Sequence, residues 1–135
     1  LVDRIDFSND LATASPRGPF TATKASSAAT GNSNYGWWGA GGSSISQVSR
    51  VDRIDFSNDL TTSSPRGPLS AAKYVVAATG NSNYGWWGGG FSSAIPGRVS
   101  TVDRIDFSND SATASPRGFL NYELDRSSAT SNTTR

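Results

Sequence analysis

The sequence predicts an all-β protein made of repeated four-stranded antiparallel sheets. The segment VDRIDFSND begins at Val2, Val51 and Val102, so the chain repeats with spacings of 49 and 51 residues. Between its copies lie short β-branched and aromatic runs, which favour strands, separated by Gly, Pro, Asn and Asp, which favour turns. No segment has the 3.6-residue apolar periodicity of a helix. A repeat of this length indicates a fold class more firmly than local propensity does.

Each repeat contains four segments that predict strands. The first is apolar and β-branched (Lys73–Gly80), and the second is aromatic and ends in glycines (Tyr84–Gly89). The third (Ser100–Ser108) alternates apolar and charged residues, as a half-buried strand does. The fourth (Ser111–Ser115) consists of small residues and is followed by a proline. Consecutive strands joined in this way predict an antiparallel sheet.

Two kinds of segment predict the turns between these strands. The Ser-Asn-Asp triplet at Ser108–Asp110 predicts a tight turn, because Asn and Asp tolerate left-handed backbone and bond their own main chain. The Pro-Arg-Gly-Pro segments Pro16–Pro19 and Pro65–Pro68 predict turns outside the hydrogen-bonded ladder, because proline has no N–H to donate.

Four short strands in about 50 residues match one blade of a β-propeller. On this interpretation residues 1–23 form the last two strands of a partial blade, and 24–72 and 73–119 form complete blades. Residues 120–135 begin a further strand and end in a C-terminal tail. About two and a half blades make an incomplete ring. We therefore expect the chain to continue into further repeats or to associate with other copies of itself.

Composition argues against several function classes. The chain has no cysteine and no histidine, so thiol chemistry, disulfides and the commonest general base and metal ligand are absent. With 12 basic and 11 acidic residues, its net charge gives no general reason to expect binding to nucleic acid. No apolar run is long enough for insertion into a membrane. We expect no enzymatic activity, no cofactor and no metal site.

The carboxylates and glycines of the repeat also favour structural roles. Asp103 and Asp106 lie three residues apart in one strand, hence on opposite faces, which is poor geometry for acid–base partners. One Asn and one Asp in each turn supply too few oxygens for a calcium site. The glycine runs lack the Lys-Ser/Thr and the helix that a phosphate loop requires.

Paired tryptophans and one recurring arginine are the candidate ligand or partner contacts. Adjacent residues of a strand point to opposite faces, so one tryptophan of each pair is expected to pack between blades. The other then packs on the opposite face or is partly exposed. Ile and Phe of the third strand, Ile5 and Phe7 with their counterparts in later repeats, are expected to line the blade interfaces. The candidate contacts are Trp37, Trp38, Trp86, Trp87, Arg17, Arg66 and Arg117.

The repeat resembles the Kelch repeat. The resemblance is carried by an aromatic strand ending in a glycine pair (Tyr84–Gly90), a variable loop, and a strand ending in an apolar residue and Asp before a polar turn. The amino-acid sequence of the repeats is also similar to tandem repeats of structural and tail proteins of aquatic bacteriophages. The resemblance implies a propeller that serves as a binding or scaffolding platform.

Two functions follow as expectations. The first is a non-enzymatic structural repeat protein of a larger assembly, such as a virion tail or an extracellular fibre, with other copies or further repeats as partners. The alternative is a multivalent lectin that binds glycans through one aromatic site in each blade, with avidity replacing strength at each site. Both place the protein on a virion or outside the cell.

Overall fold

The computed structural model describes residues 1–94 and 97–131. Within them the chain forms fourteen strands and two single-turn 3-10 helices, at Phe56–Asn58 and Phe107–Asn109. The strands are, in chain order, β1 (Asp3–Arg4), β2 (Ser15–Pro16), β3 (Ala28–Gly31), β4 (Tyr35–Gly39), β5 (Gly42–Ser43), β6 (Ser46–Gln47), β7 (Val51–Asp55), β8 (Ser64–Arg66), β9 (Ala77–Gly80), β10 (Tyr84–Gly88), β11 (Phe91–Ser92), β12 (Gly97–Arg98), β13 (Thr101–Asp106) and β14 (Ser115–Phe119).

Two four-stranded antiparallel sheets form the body of the molecule, which confirms the all-β prediction. The central sheet has the order β3-β4-β7-β8, and the C-terminal sheet repeats this order as β9-β10-β13-β14. The N-terminal ladder, β1 with β2, has the sequence and the pairing of β7 with β8. No ring closes within the described part of the chain.

A short hairpin lies between the second and third strands of each four-stranded sheet. The pairs are β5 with β6 and β11 with β12, and the sequence-based prediction did not include them. Gln47 of the first hairpin accepts hydrogen bonds from the N–H and the hydroxyl of Ser93 in the second, at 2.9 and 2.8 Å. The hairpins therefore join neighbouring repeats at one end of the sheets.

The fourth strand lies later in each repeat than predicted. Residues 111–114 belong to a connection, and the strand is Ser115–Phe119, across the predicted Pro-Arg-Gly turn. In the central sheet Pro65 lies opposite Asp52 in the ladder. The turn prediction was therefore wrong. Proline is tolerated there because the strand forms the edge of its sheet, where a missing donor costs no ladder bond.

The Ser-Asn-Asp segments also differ from the tight turn that was predicted. Phe56–Asn58 and Phe107–Asn109 are 3-10 turns, each capped by the aspartate that ends the preceding strand. The chain then crosses to the neighbouring repeat, where the N–H of Ala114 donates to Pro68 O at 2.8 Å. A Cβ on Gly67 would collide with the carbonyl of Ala112, so this crossing requires glycine.

The core lies between the central and C-terminal sheets, where β3 packs against β9. The isoleucines and phenylalanines of the third strands differ in how far this core buries them. Ile54 and Ile105 are buried, and Phe107 packs against the core, as predicted. Phe56 is 45% exposed, so its predicted burial was wrong for this chain. The core residues are Trp37, Ala40, Val51, Leu69, Val76, Trp87, Ile105 and Ala114.

The N-terminal ladder exposes its third-strand residues still more. Ile5 is 53% exposed and Phe7 is 91% exposed, which contradicts their predicted place in an interface. The N-terminal ladder has two strands in place of four, and Ile5 and Phe7 line an open cavity between it and the central sheet.

Residues 120–131 follow β14 and contain no assigned strand, and residues 132–135 of the predicted tail lie outside the described residues. The N–H of Gly90 donates to Leu124 O at 2.7 Å, which holds this segment against the C-terminal sheet. Among the described residues, no helix has the length and apolar character needed to cross a membrane.

Candidate functional site

The interface between the central and C-terminal sheets contains two fully buried tryptophans. Trp37 of β4 and Trp87 of β10 are each 0% exposed. They occupy different positions of the repeat, because Trp37 is the first and Trp87 the second residue of its pair. The two sheets face each other through opposite sides of the same repeated strand. One tryptophan of each pair is thus fully buried between the two sheets, and its neighbour in the strand lies on the opposite face and is partly exposed, as predicted.

Trp37 fills a socket on the C-terminal sheet, which we call the tryptophan socket. Its Nε1–H donates to Asp110 Oδ2 at 2.9 Å. Its ring stacks on Phe107 with centroids 3.8 Å apart and planes inclined by 4°. Both socket residues come from the segment that follows β13, so the 3-10 turn after the third strand builds this site. An indole fits this socket because its apolar ring stacks on Phe107 and its one N–H donates to Asp110.

Two arginines of the central sheet complete the polar side of the socket. Arg53 Nη1 lies 3.0 Å from Asp110 Oδ2, and Arg66 Nε lies 3.6 Å from the same atom. The Arg53 guanidinium also lies over the ring of Tyr35, 4.3 Å from its centroid. The Asp110 carboxylate therefore accepts hydrogen bonds from Trp37 and Arg53 and also forms an ion pair with Arg66. Charge-assisted hydrogen bonds such as that from Arg53 are stronger than neutral ones.

Trp87 fills the complementary position on the central sheet. Its Nε1–H donates to the backbone carbonyl of Ala28 at 3.1 Å. A Cβ on Gly39 would lie 2.7 Å from that Nε1, so only glycine lets the indole approach the strand. The glycine that ends the aromatic strand is therefore explained by contact with the next repeat.

Buried ion pairs hold the third strand of each four-stranded sheet. Lys24 Nζ lies 3.2 Å from Asp52 Oδ2, and Lys73 Nζ lies 3.1 Å from Asp103 Oδ2. Both aspartates are 0% exposed. Burial lowers the pKa of Lys24 below its usual 10.5, while the Asp52 carboxylate opposes this shift. Buried charges of opposite sign need one another, since neither is solvated by water.

The second aspartate of each third strand has a different role. The Ser57 hydroxyl and N–H donate to Asp55 Oδ1 at 2.6 and 2.9 Å, and Ser108 does the same for Asp106. These hydrogen bonds, the hydroxyl's first, lower the pKa of Asp55 and Asp106 below 3.8. The two carboxylates of a strand thus have separate structural partners and do not form an acid–base pair.

The remaining tryptophans face away from the interface. Trp38 and Trp86 are half-buried, and Trp38 lies against Phe20 with ring centroids 5.5 Å apart. A cavity of about 400 Å³ opens beside Trp38, and one of about 190 Å³ opens beside Trp86. These two residues are the members of the predicted tryptophan set that solvent reaches. Trp37 and Trp87 lie where no dissolved ligand reaches them.

Two of the three candidate arginines form ion pairs, and the third is exposed. Arg66 faces Asp110, and Arg17 Nε lies 3.4 Å from Asp59 Oδ2, so both bind the aspartate of the next repeat's turn. Arg117 is exposed. The repeated basic position is thus an interface residue wherever a following repeat lies beside it.

Sequence reasoning missed three charged residues that the structure places in buried contacts. Asp110 was interpreted only as part of a turn, and Lys24 and Lys73 were not singled out. The two lysines lie 49 residues apart, which is also the spacing of the tryptophan pairs. That shared spacing was the available signal. A search of protein-family models and of curated proteins finds no match to this sequence.

Proposed function

We propose that this chain is a non-enzymatic structural repeat protein, in which repeats bind one another through tryptophan sockets to build a larger assembly. The observation that carries the proposal is the interface between the central and C-terminal sheets. Two indoles, an aspartate that accepts hydrogen bonds from an indole and an arginine, and buried ion pairs make up this interface. All of these residues lie at positions that recur in the repeat. A surface built from repeated residues suits contact with another repeat.

The proposed arrangement is a Kelch-like β-propeller in which the four-stranded sheets act as blades. Two facts support it: the antiparallel order recurs in both sheets, and their faces pack through aromatic residues. The resemblance of the repeats to bacteriophage tail proteins favours a virion tail or a comparable extracellular fibre as the assembly. Other copies of the chain or further repeats are the proposed partners.

An absence of chemistry is part of the proposal. Asp52 and Asp103 are paired with buried lysines, and Asp55 and Asp106 cap 3-10 turns. Side chains committed to structural hydrogen bonds and ion pairs are poor general acids or bases, because their protons are not available to a substrate. A broad hydrolase screen is expected to find no turnover. Activity that disappears on Asp55→Asn or Asp106→Asn would contradict this.

The assembly is tested by native mass spectrometry and light scattering on the 135-residue chain. At micromolar concentration we expect dimers or larger species, because exposed apolar faces and sheet edges promote association. A folded chain that stays monomeric throughout this range would refute the proposal for the isolated chain.

A glycan-binding function is the second candidate, and the partial exposure of Trp38 and Trp86 beside cavities favours it. Aromatic rings that solvent reaches can stack on sugars, and two sites on one chain would add avidity. The sequence analysis also named Trp87 as a candidate contact. Trp87 is fully buried, so Trp86 is the candidate in the C-terminal sheet. A glycan array tests the idea: binding lost in Trp38→Ala and Trp86→Ala, with the fold intact, would favour a lectin over a scaffold.

A further inference from the structure

The cavity beside Trp38 has the composition of the tryptophan socket. Its wall includes Phe56 and Asp59, which occupy the repeat positions of Phe107 and Asp110. Arg4 and Arg17 also line it, at the repeat positions of Arg53 and Arg66. Trp38 takes the place that Trp87 has beside the filled socket. We call this cavity the open socket.

The polar geometry of the two sockets is nearly the same. Arg4 Nη1 lies 2.9 Å from Asp59 Oδ2, against 3.0 Å for the Arg53 and Asp110 atoms. Arg17 Nε lies 3.4 Å from Asp59 Oδ2, against 3.6 Å for Arg66 and Asp110. The carboxylate and its two arginines are thus in place before any indole is present.

The difference between the sockets is the aromatic ring. Phe107 is covered by the stacked ring of Trp37, whereas Phe56 is 45% exposed and the cavity beside it measures about 400 Å³. Asp110 accepts an indole N–H, and within the described chain Asp59 has arginine partners alone. The open socket therefore offers one aromatic surface and one carboxylate acceptor, the two features that bind Trp37.

The neighbouring strand offers the backbone for an incoming chain. In the central sheet β7 pairs with β8 on one side and β4 on the other, and Trp37 lies opposite Arg53. β1 pairs with β2, and no described residue pairs with its other edge. A strand added there in the register of β4 would place its first tryptophan opposite Arg4, at the mouth of the open socket. Its tyrosine would lie near the Arg4 guanidinium, as Tyr35 lies beneath Arg53.

We propose that the open socket and the edge of β1 together bind a β-hairpin whose second strand reads Tyr-Gly-Trp-Trp-Gly. The hairpin joins the N-terminal ladder as its first two strands, and its first indole enters the socket. This is strand addition, in which backbone bonds supply affinity and a side-chain pocket supplies specificity. The inference rests on the proposed function, because it assigns the partner that a structural repeat would take at this end.

The socket selects tryptophan over other aromatic residues. Phenylalanine fills the apolar wall but donates no hydrogen bond to Asp59. The complex then has one hydrogen bond fewer than the complex with tryptophan, which lowers affinity. Tyrosine carries its hydroxyl at the far end of the ring, whereas the indole N–H lies at the side of its ring system.

The test uses a labelled synthetic peptide with the sequence of Ala28–Gly39, AATGNSNYGWWG, and the intact chain. Fluorescence anisotropy is expected to show saturable one-site binding. Trp→Ala at the peptide's first tryptophan should weaken binding at least about tenfold, because a central buried aromatic dominates such interfaces. Trp→Phe at that position should give a smaller loss, and Trp→Ala at the second tryptophan the smallest, because that side chain points to the opposite face.

Matched variants of the chain locate the site. Asp59→Ala should weaken binding as much as the loss of the first indole. Asp10→Ala should leave binding unchanged, because Asp10 occupies the same repeat position in an exposed turn. Thermal unfolding of each variant checks the fold, and the peptide variants test the socket even if Asp59→Ala is unstable.

Three results would overturn the inference. They are no saturable binding up to about 1 mM peptide, equal loss from the two tryptophan substitutions, and binding that a folded Asp59→Ala variant retains. A chain that assembles without binding the peptide would refute the open socket but keep the proposed assembly. A monomeric chain that binds the peptide with the expected tryptophan dependence would support the socket and refute self-assembly.

Discussion

At the scale of single residues, Asp110 connects the C-terminal sheet to three side chains of the central sheet. Its Oδ2 receives the Trp37 indole and faces two arginines of the central sheet. Asp110 lies in a polar turn segment, where its sequence context gives no sign of such a role. A carboxylate so surrounded fixes both the position and the orientation of the incoming ring.

Replacing Trp37 tests this directly. Trp37→Ala should lower the free energy of unfolding by about 3–5 kcal/mol, because removing a fully buried aromatic side chain leaves a cavity and removes one hydrogen bond to Asp110. Urea denaturation measures the change. Trp38→Ala is the matched control and should cost less, since Trp38 is only half-buried. Equal losses would show that the two faces of β4 contribute alike.

The caps of the 3-10 turns give a pH dependence. The pKa of Asp55 and Asp106 lies below 3.8 in the folded chain, so these carboxylates stabilise the fold above the unfolded value. That contribution is lost as the pH falls from about 4 through the folded pKa. The melting temperature should therefore drop in acid. The double variant Asp55→Asn/Asp106→Asn should show a shallower drop, and an unchanged profile would contradict the assignment.

At the scale of strands, β7 and β13 each contain two aspartates with different roles. The first, Asp52 or Asp103, is buried, and the second, Asp55 or Asp106, caps the 3-10 turn that follows the strand. The alternation of apolar and charged residues predicted a half-buried strand and gave no sign that a charged residue would be fully buried. Asp52 and Asp103 are instead 0% exposed. The buried pairs with Lys24 and Lys73 make this burial possible.

Breaking one such pair should be more damaging than removing both partners. Lys73→Met should cost about 3–5 kcal/mol, because it leaves Asp103 charged and buried. The double variant Lys73→Met/Asp103→Leu should recover part of that loss. Chemical denaturation of Lys73→Met, Asp103→Leu and the double variant gives the coupling free energy between the two side chains. Asp125→Ala, which breaks an exposed pair with Arg98, serves as the control and should change stability far less.

The third-strand phenylalanines form a second matched pair. Phe107→Ala should destabilise the chain by about 3–5 kcal/mol, because its ring stacks on Trp37 in the core. Phe56→Ala should cost less, because Phe56 is 45% exposed. Urea unfolding compares them at repeat positions with the same sequence. If Phe56→Ala proved the costlier change, an aromatic ring would have to cover Phe56 in solution.

At the scale of the whole molecule, the same repeated surfaces occur packed and unpacked. The central and C-terminal sheets bury their facing tryptophans, whereas Phe7 and Ile5 of the N-terminal ladder remain exposed. An apolar surface that is buried in one repeat and open in another is suited to contact with a further repeat.

Association should make thermal stability depend on concentration. The melting temperature of the chain should rise as its concentration is increased, because association stabilises the folded state by mass action. Differential scanning calorimetry over a hundredfold dilution series measures this. A melting temperature that is constant across the series would show that the exposed surfaces do not associate.

The sequence alone determined the all-β class, the repeat length and the separation of each tryptophan pair onto opposite faces. These properties depend on local chemistry and on strand geometry, in which neighbouring side chains alternate. The position of the fourth strand was not determined in this way, because Pro65 and Pro116 are tolerated only once tertiary structure places their strands at sheet edges.

Tertiary structure also decided which tryptophan of each pair is buried and which aspartate binds it. Trp37 and Trp87 occupy different positions in identical segments, so local sequence gives them no distinction. Their burial depends on which face of each sheet meets a neighbouring repeat. Asp110 lies 73 residues from Trp37, and Lys73 pairs with Asp103 across the C-terminal half of the chain. Such contacts exist only after the repeats pack, because burial strengthens charge and hydrogen bonding that water would otherwise screen.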